Sequence, residues 1–186
     1  TTEIYTLSLH DALPILSAIR ETAPLPEKLT YFEVKAEDPA GLDDLIKYLD
    51  ENPRDYVALK SDDLYSLLKQ LESDYSGKKG LTGSILYVDE VANSYFLELR
   101  SRIIPLLDSS TNNYAKLEYL GYDRIIINPD KTGMSHADLK AFMDANEPAG
   151  FLIEESREPI YKQYAEDYGV SLYVNHDNDR IEKVYN

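Results

Sequence analysis

Cysteine and tryptophan are absent from this chain, and basic residues are scarce. Without Cys there is no disulfide, thiol nucleophile or Cys-based zinc site, and nothing reports a redox compartment. Without Trp, the largest stacking surface for a sugar ring is missing. Nineteen Lys and Arg stand against 34 Asp and Glu, a net charge of −15. Such a surface lacks the cationic clusters that neutralise nucleic-acid phosphates or hold anionic lipid. It suits a protein kept apart by self-repulsion, or one that gathers cations. No stretch approaches the ~18 consecutive apolar residues of a membrane span. There is also no Gly-rich phosphate loop after a strand and no GxSxG elbow.

Residues 1–15, TTEIYTLSLHDALPI, match the codon-by-codon translation of a common short-read sequencing adapter. They are expected to be a foreign leader with few long-range contacts, and His10–Asp11 is set aside with them. The native part is then expected to start near Leu16, with its upstream portion lost. Leaving out Glu3 and Asp11, 32 acids face 19 bases, a balance of −13.

From Tyr31 onward, short β-branched runs alternate with amphipathic stretches. Tyr31–Lys35, Tyr56–Lys60, Ile103–Leu107, Arg124–Asn128, Gly150–Glu154 and Val170–Asn175 read as strands. Leu42–Leu49, Leu64–Leu71, Tyr114–Leu120, Ser135–Asp144 and Glu158–Tyr168 read as helices, the last two with a Ser135 cap and a Gly169 stop. Ile85–Leu99 fits either a strand start or a helical stripe. Ser76–Gly83 reads as a loop, and Asp179–Tyr185 as the start of a last helix. Continuous apolar strands alternating with helices predict a parallel sheet covered by helices. The expected fold is an incomplete parallel (β/α) barrel, TIM-barrel-like, spanning 16–186 and unclosed for want of at least one strand. The alternative is an open parallel α/β sheet.

In parallel sheets, chemistry sits at the C-terminal strand ends. Those ends carry Glu33 and Lys35, Lys60 to Asp63, Asp89 and Glu90, Asp108, Asn128 to Lys131, Glu154 and Glu155, and Asn175 to Asp179. Glu33 and Lys35 share one strand face, and a carboxylate beside a Lys can take a divalent cation and a phosphate together. A solvated ion pair is the plainer reading. Asp62–Asp63 and Asn178–Asp179 read as helix caps, although His176, Asp177 and Asp179 also carry metal-donor atoms. His136 reads as solvated.

Four segments in order resemble the glycerophosphodiester phosphodiesterase family. They are Leu42–Pro53 (LDDLIKYLDENP) with Tyr56–Lys60, Arg102–Asp108 (RIIPLLD), Leu120–Thr132 (LGYDRIIINPDKT) and Val170–Asp179 (VSLYVNHDND). The resemblance implies a (β/α)₈ barrel that hydrolyses a glycerol phosphodiester with a divalent metal, Ca²⁺ or Mg²⁺. It implies a phosphate contact at Lys60, a metal ligand at Glu33 in an alternative register, and substrate contacts at Lys131 and His176. The family's His-Arg-Gly and Glu-x-Asp motifs are not found, Ala58 stands where an acid is expected, and Leu106 and His176 replace a Gln and a Thr. This chain is therefore expected to be an inactive piece of such an enzyme. The alternative is a non-catalytic barrel module that binds a ligand or partner.

Overall fold

The computed structural model describes residues 24–75, 85–109, 112–177 and 180–186, with backbone alone for 85–93. The leader at residues 1–15, the loop at 76–83 and the Asn178–Asp179 cap lie outside the described residues.

Strand β1 (Lys28–Glu33) leads to α1 (Pro39–Glu51). Then come β2 (Val57–Lys60), α2 (Leu64–Tyr75), α3 (Ile85–Arg102) and β3 (Ile103–Leu107). After α4 (Tyr114–Tyr119) the two-residue β4 (Ile126–Ile127) is followed by α5 (His136–Asn146) and β5 (Gly150–Glu154). Helix α6 (Glu158–Tyr168), β6 (Ser171–Asp177) and β7 (Arg180–Tyr185) complete the chain. Strands β1 to β6 are parallel neighbours in chain order. Right-handed crossovers make that order the default.

The expected fold class is corrected at closure. The sheet is a closed seven-stranded mixed barrel, neither an incomplete TIM-like barrel nor an open parallel sheet. Strand β7 runs antiparallel to both β6 and β1 and seals the gap. Residues 180–185 thus form a strand where a helix was expected. In a strand Ile181 enters the barrel, 1% exposed, and Lys183 follows two residues later on the same face. Lys183, its side chain 4% exposed, donates from its ammonium to the Leu25 carbonyl at 2.6 Å and pairs with Glu27 at 3.5 Å. The Tyr173 hydroxyl donates to the Pro26 carbonyl. Together they fix residues 25–27 across the barrel's N-terminal end.

Strand alternation sorts the core into two layers. Leu29, Ala58, Ile104, Leu106, Ile126, Leu152, Tyr173 and Ile181 fill the interior. Val57, Leu59, Ile103, Leu107, Ile127, Ile153 and Val174 face the helices, where the Leu42–Leu49 and Leu64–Leu71 stripes meet them. Pro105 sits mid-strand, at the point where β3 ends its pairing with β2 and starts pairing with β4. A residue without an N–H is tolerated there. At Gly150 an added Cβ would lie 2.6 Å from the Ser171 carbonyl oxygen. Gly150→Ala is expected to cost about 1–2 kcal/mol, since backbone must move. A urea midpoint equal to that of the wild type would refute the close approach.

Capping follows the sequence. Ser135 and Asp138 form a complete capping box on α5, and Asp63 accepts from Ser66 N at 3.1 Å in the first turn of α2. Asp62 instead accepts from the N–H of Ala36 at 2.8 Å, tying the two loops after β1 and β2. That bond chiefly holds its carboxyl below the usual range.

Candidate functional site

Six parallel strands each bring a polar residue to their last inward position. Two residues past the apolar layer come Glu33, Lys60, Asp108, Asn128, Glu154 and Asn175. Glu33 is the cross-strand partner of Lys60, and Glu154 that of Asn175. The Lys60 ammonium lies 3.1 Å from Asp108 Oδ2 and 3.7 Å from Glu33 Oε1. Asp108 is nearly sealed, its side chain 5% exposed, while Lys60 keeps 28% and Glu33 56%. The Tyr31 hydroxyl leans over the group, 3.4 Å from Glu33 Oε2.

The electrostatics follow from this geometry. The hydrogen bond to Asp108 chiefly holds the Lys60 ammonium above its ordinary range, outweighing burial. Burial chiefly raises the Tyr31 phenol, with Lys60 pulling the other way. Both groups therefore keep their protons at neutral pH, Lys60 as a cation and Tyr31 as a neutral donor. Ala58, one layer deeper and fully buried, is the cross-strand partner of Tyr31. A carboxylate there would enter the apolar interior.

Of the residues expected at the site, Glu33 and Lys60 meet. Glu33, from the alternative register, lies beside Lys60, from the preferred one. Lys35 lies beyond the end of β1 and is exposed, so Lys60 takes the place beside Glu33 that Lys35 was expected to fill. Lys131 stands exposed on the loop after β4, where its backbone N–H donates to the Asn128 carbonyl at 3.2 Å. His176 is held between Glu155 and Glu182, at 3.5 and 3.4 Å from its two ring nitrogens. With one carboxylate at each nitrogen, the ring bridges two elements and offers no shared metal position. His136 bonds and stacks on Tyr164, 5.7 Å between centroids, so it is exposed yet partnered. Nearby, Asp130 accepts both Arg157 donors, at 3.0 and 3.1 Å, and the Tyr161 hydroxyl at 2.8 Å. This pins the loop after β4 to α6.

Sequence reasoning missed Tyr31, which reads as core, and missed that Asp108 is the partner of Lys60. Inward alternation along each strand is the signal that finds both.

The implied divalent metal does not fit this mouth. Glu33 and Asp108 offer two carboxylates with an ammonium between them. No group of three or more His, Asp or Glu suited to a metal occurs among the described residues. The Lys60 ammonium, held between the two carboxylates, already supplies the positive charge that a cation would bring there. Among the described residues, no helix is long and apolar enough to cross a membrane.

Titration adds an alkaline limit. Burial first of all pushes Tyr31, Tyr48, Tyr95, Tyr114, Tyr161 and Tyr173 above the ordinary phenol range, Tyr161 to about 12. A raised folded pKa gives stability that is whole below the unfolded value, about 10 for Tyr, and is lost as pH rises through the folded value. Lys60 adds to this in the same direction. The melting temperature is expected to hold from pH 7 to 9 and fall steeply above about 10. A flat profile to pH 11 would show these phenols to be hydrated.

The expected hydrolase and phosphodiesterase assignment gains no family support: no family model, no curated protein and no solved structure matches this chain.

Proposed function

We propose that this chain is a non-catalytic barrel module that binds a small hydroxylated ligand at the mouth formed by Tyr31, Glu33, Lys60 and Asp108. The observation that carries this is the neutralisation of Lys60. Its ammonium already faces the buried Asp108 at 3.1 Å and Glu33 at 3.7 Å, one cation against two carboxylates. A bare anion gains little there, because it must compete with Asp108 for the same charge. Hydroxyls suit the group better. Each carboxylate accepts from a hydroxyl, and Lys60 keeps a donor for a ligand oxygen. A glycerol-type diol matches this pattern, and an attached phosphate adds what Lys60 can spare.

Turnover needs more. A general acid must stand within about 3 Å of the proton it moves. The His that serves as acid in the resembled family has no counterpart here: neither His176 nor His136 is placed against the Lys60 group, each being engaged elsewhere, and Lys60 and Tyr31, with pKa values raised, hold their protons as binding donors. Binding ground and transition states alike leaves the chemical step unchanged.

Calorimetric titration tests this with glycerol 3-phosphate, glycerol and inorganic phosphate in parallel. The wild type is expected to bind glycerol 3-phosphate saturably and phosphate at least about tenfold more weakly, a difference of about 1.4 kcal/mol. Glu33→Gln should weaken the diol-bearing ligand and leave phosphate unchanged or tighter. Absence of saturable binding, or a preference for bare phosphate, would overturn the proposal.

A second reading keeps the kinship with glycerophosphodiester phosphodiesterases, supported by the meeting of Glu33 and Lys60 across neighbouring strands. It differs by requiring turnover.

A further inference from the structure

At the mouth, Asp108 and Asn128 stand side by side on neighbouring strands. Leu106 pairs with Ile126 and Leu107 with Ile127, and the Asn128 N–H donates to the Leu107 carbonyl at 2.8 Å. The next step of the ladder therefore sets Asp108 opposite Asn128. Both point inward, each two residues past an interior side chain, Leu106 and Ile126. Asp108 is 7% exposed and Asn128 5%. Asp108 Oδ2 takes the Lys60 ammonium, and Oδ1 has no partner among the described residues. Asn128 Oδ1 accepts from the Lys131 backbone N–H at 3.3 Å. That bond identifies the oxygen end of the amide, so its NH₂ is the end without a partner among the described residues. A buried acceptor and a buried donor, neighbours by register, thus make no bond to each other. Beneath them lies the apolar layer of Leu106, Ile126 and Leu152. Whatever satisfies the pair enters from the mouth.

We propose that Asp108 and Asn128 select the mouth's ligand by holding one hydroxyl between them, and that this ligand is a linear polyol longer than glycerol. The inference rests on the reading of the mouth as a hydroxyl-binding site. A hydroxyl donates and accepts at once: its O–H serves Asp108 Oδ1, and its lone pairs serve the Asn128 NH₂. A carboxylate or phosphate oxygen would serve Asn128 and repel Asp108, and an ammonium would do the reverse. The length follows from the strand order. Glu33, Lys60, Asp108 and Asn128 stand at the ends of four successive strands. Neighbouring strands lie about 4.8 Å apart. A glycerol unit at Glu33 and Lys60 therefore stops short of Asn128, whereas a hexitol carries a hydroxyl on every carbon along the arc. A pyranose ring gains most from a broad aromatic face. The chain has no Trp, and a flexible polyol follows the curved rim without one.

The test is a calorimetric titration of the full chain with D-mannitol, glycerol and 1,6-hexanediol. Mannitol is expected to bind saturably, at least about tenfold more tightly than glycerol, and to displace glycerol 3-phosphate. 1,6-Hexanediol has the same length without the inner hydroxyls and should bind at least about tenfold more weakly than mannitol. Asn128→Leu removes the amide, while the carbonyl at that position keeps the Lys131 N–H at 3.2 Å and with it the turn. It should reduce the preference for mannitol over glycerol at least about fivefold, the scale of one hydrogen bond. Each of these results would overturn the proposal: mannitol no tighter than glycerol or unable to displace glycerol 3-phosphate, hexanediol binding as well as mannitol, or an Asn128→Leu effect equal on both polyols. Glycerol 3-phosphate binding that is lost with Lys60→Met while mannitol fails these comparisons would leave the hydroxyl-binding mouth standing and remove the longer ligand alone.

Discussion

Replacing Arg102 by alanine is expected to destabilise the protein by about 3 kcal/mol, the cost of removing a buried guanidinium and its charged hydrogen bonds to backbone carbonyls and to the half-exposed Glu98. Arg102 is only 5% exposed, at the junction of α3 and β3. Its Nη1 donates to the Leu49 carbonyl at 2.9 Å and the Asn52 carbonyl at 3.1 Å. Its Nε and Nη2 donate to the two Glu98 oxygens at 2.5 and 3.1 Å. Alanine removes the guanidinium donor from the Leu49 carbonyl and one of two donors from the Asn52 carbonyl, which keeps the Asp55 N–H at 3.0 Å, and leaves Glu98 without its cation. Arg102→Lys should recover part of the loss, because one ammonium cannot repeat the planar fork. Urea unfolding measures both variants, and a shift in Arg102→Ala below about 1 kcal/mol would mean that water replaces the guanidinium at those carbonyls.

Lys60→Met should have the second largest effect, and it should appear twice. Asp108, with a side chain 5% exposed, loses the ammonium 3.1 Å away. A loss of about 2 kcal/mol is expected, below the full value for a buried pair because Lys60 keeps contact with water. Glycerol 3-phosphate binding should weaken at least about tenfold in the same variant, or about 1.4 kcal/mol. Adding Asp108→Asn to Lys60→Met should restore stability without restoring binding. If the second substitution restores neither, Asp108 is not the group left stranded.

Much of the parallel sheet was legible because five strands are continuous apolar runs with a single side-chain period. Val57–Leu59, Ile103–Leu107 and Phe151–Ile153 have no competing helical reading at their length. The closing strand was not legible, for a physical reason. In residues 180–185, Ile181, Val184 and Tyr185 fall at helical spacing, and the inward position after Ile181 is a lysine. A buried Lys183 held by the Leu25 carbonyl breaks the apolar alternation that marks a strand. With β7 read as a helix, the barrel could only be left open. At the mouth, Glu33 and Lys60 were visible singly as charged strand ends. Their meeting depends on strand register, which no local pattern carries. Lys131 and His176 were named from their places just after strands and from the family resemblance, and the structure shows no contact of either with Lys60.

The most direct test of the central claim is a phosphorus NMR experiment on glycerophosphocholine with the full chain and millimolar Ca²⁺. This ligand presents a free glycerol diol beside a phosphodiester. Its resonance should broaden or shift in proportion to protein, keep its full intensity over a day, and lose the broadening with Lys60→Met. Growth of a glycerol 3-phosphate resonance with the wild type, abolished by Lys60→Met, would contradict the account and establish an enzyme at this mouth.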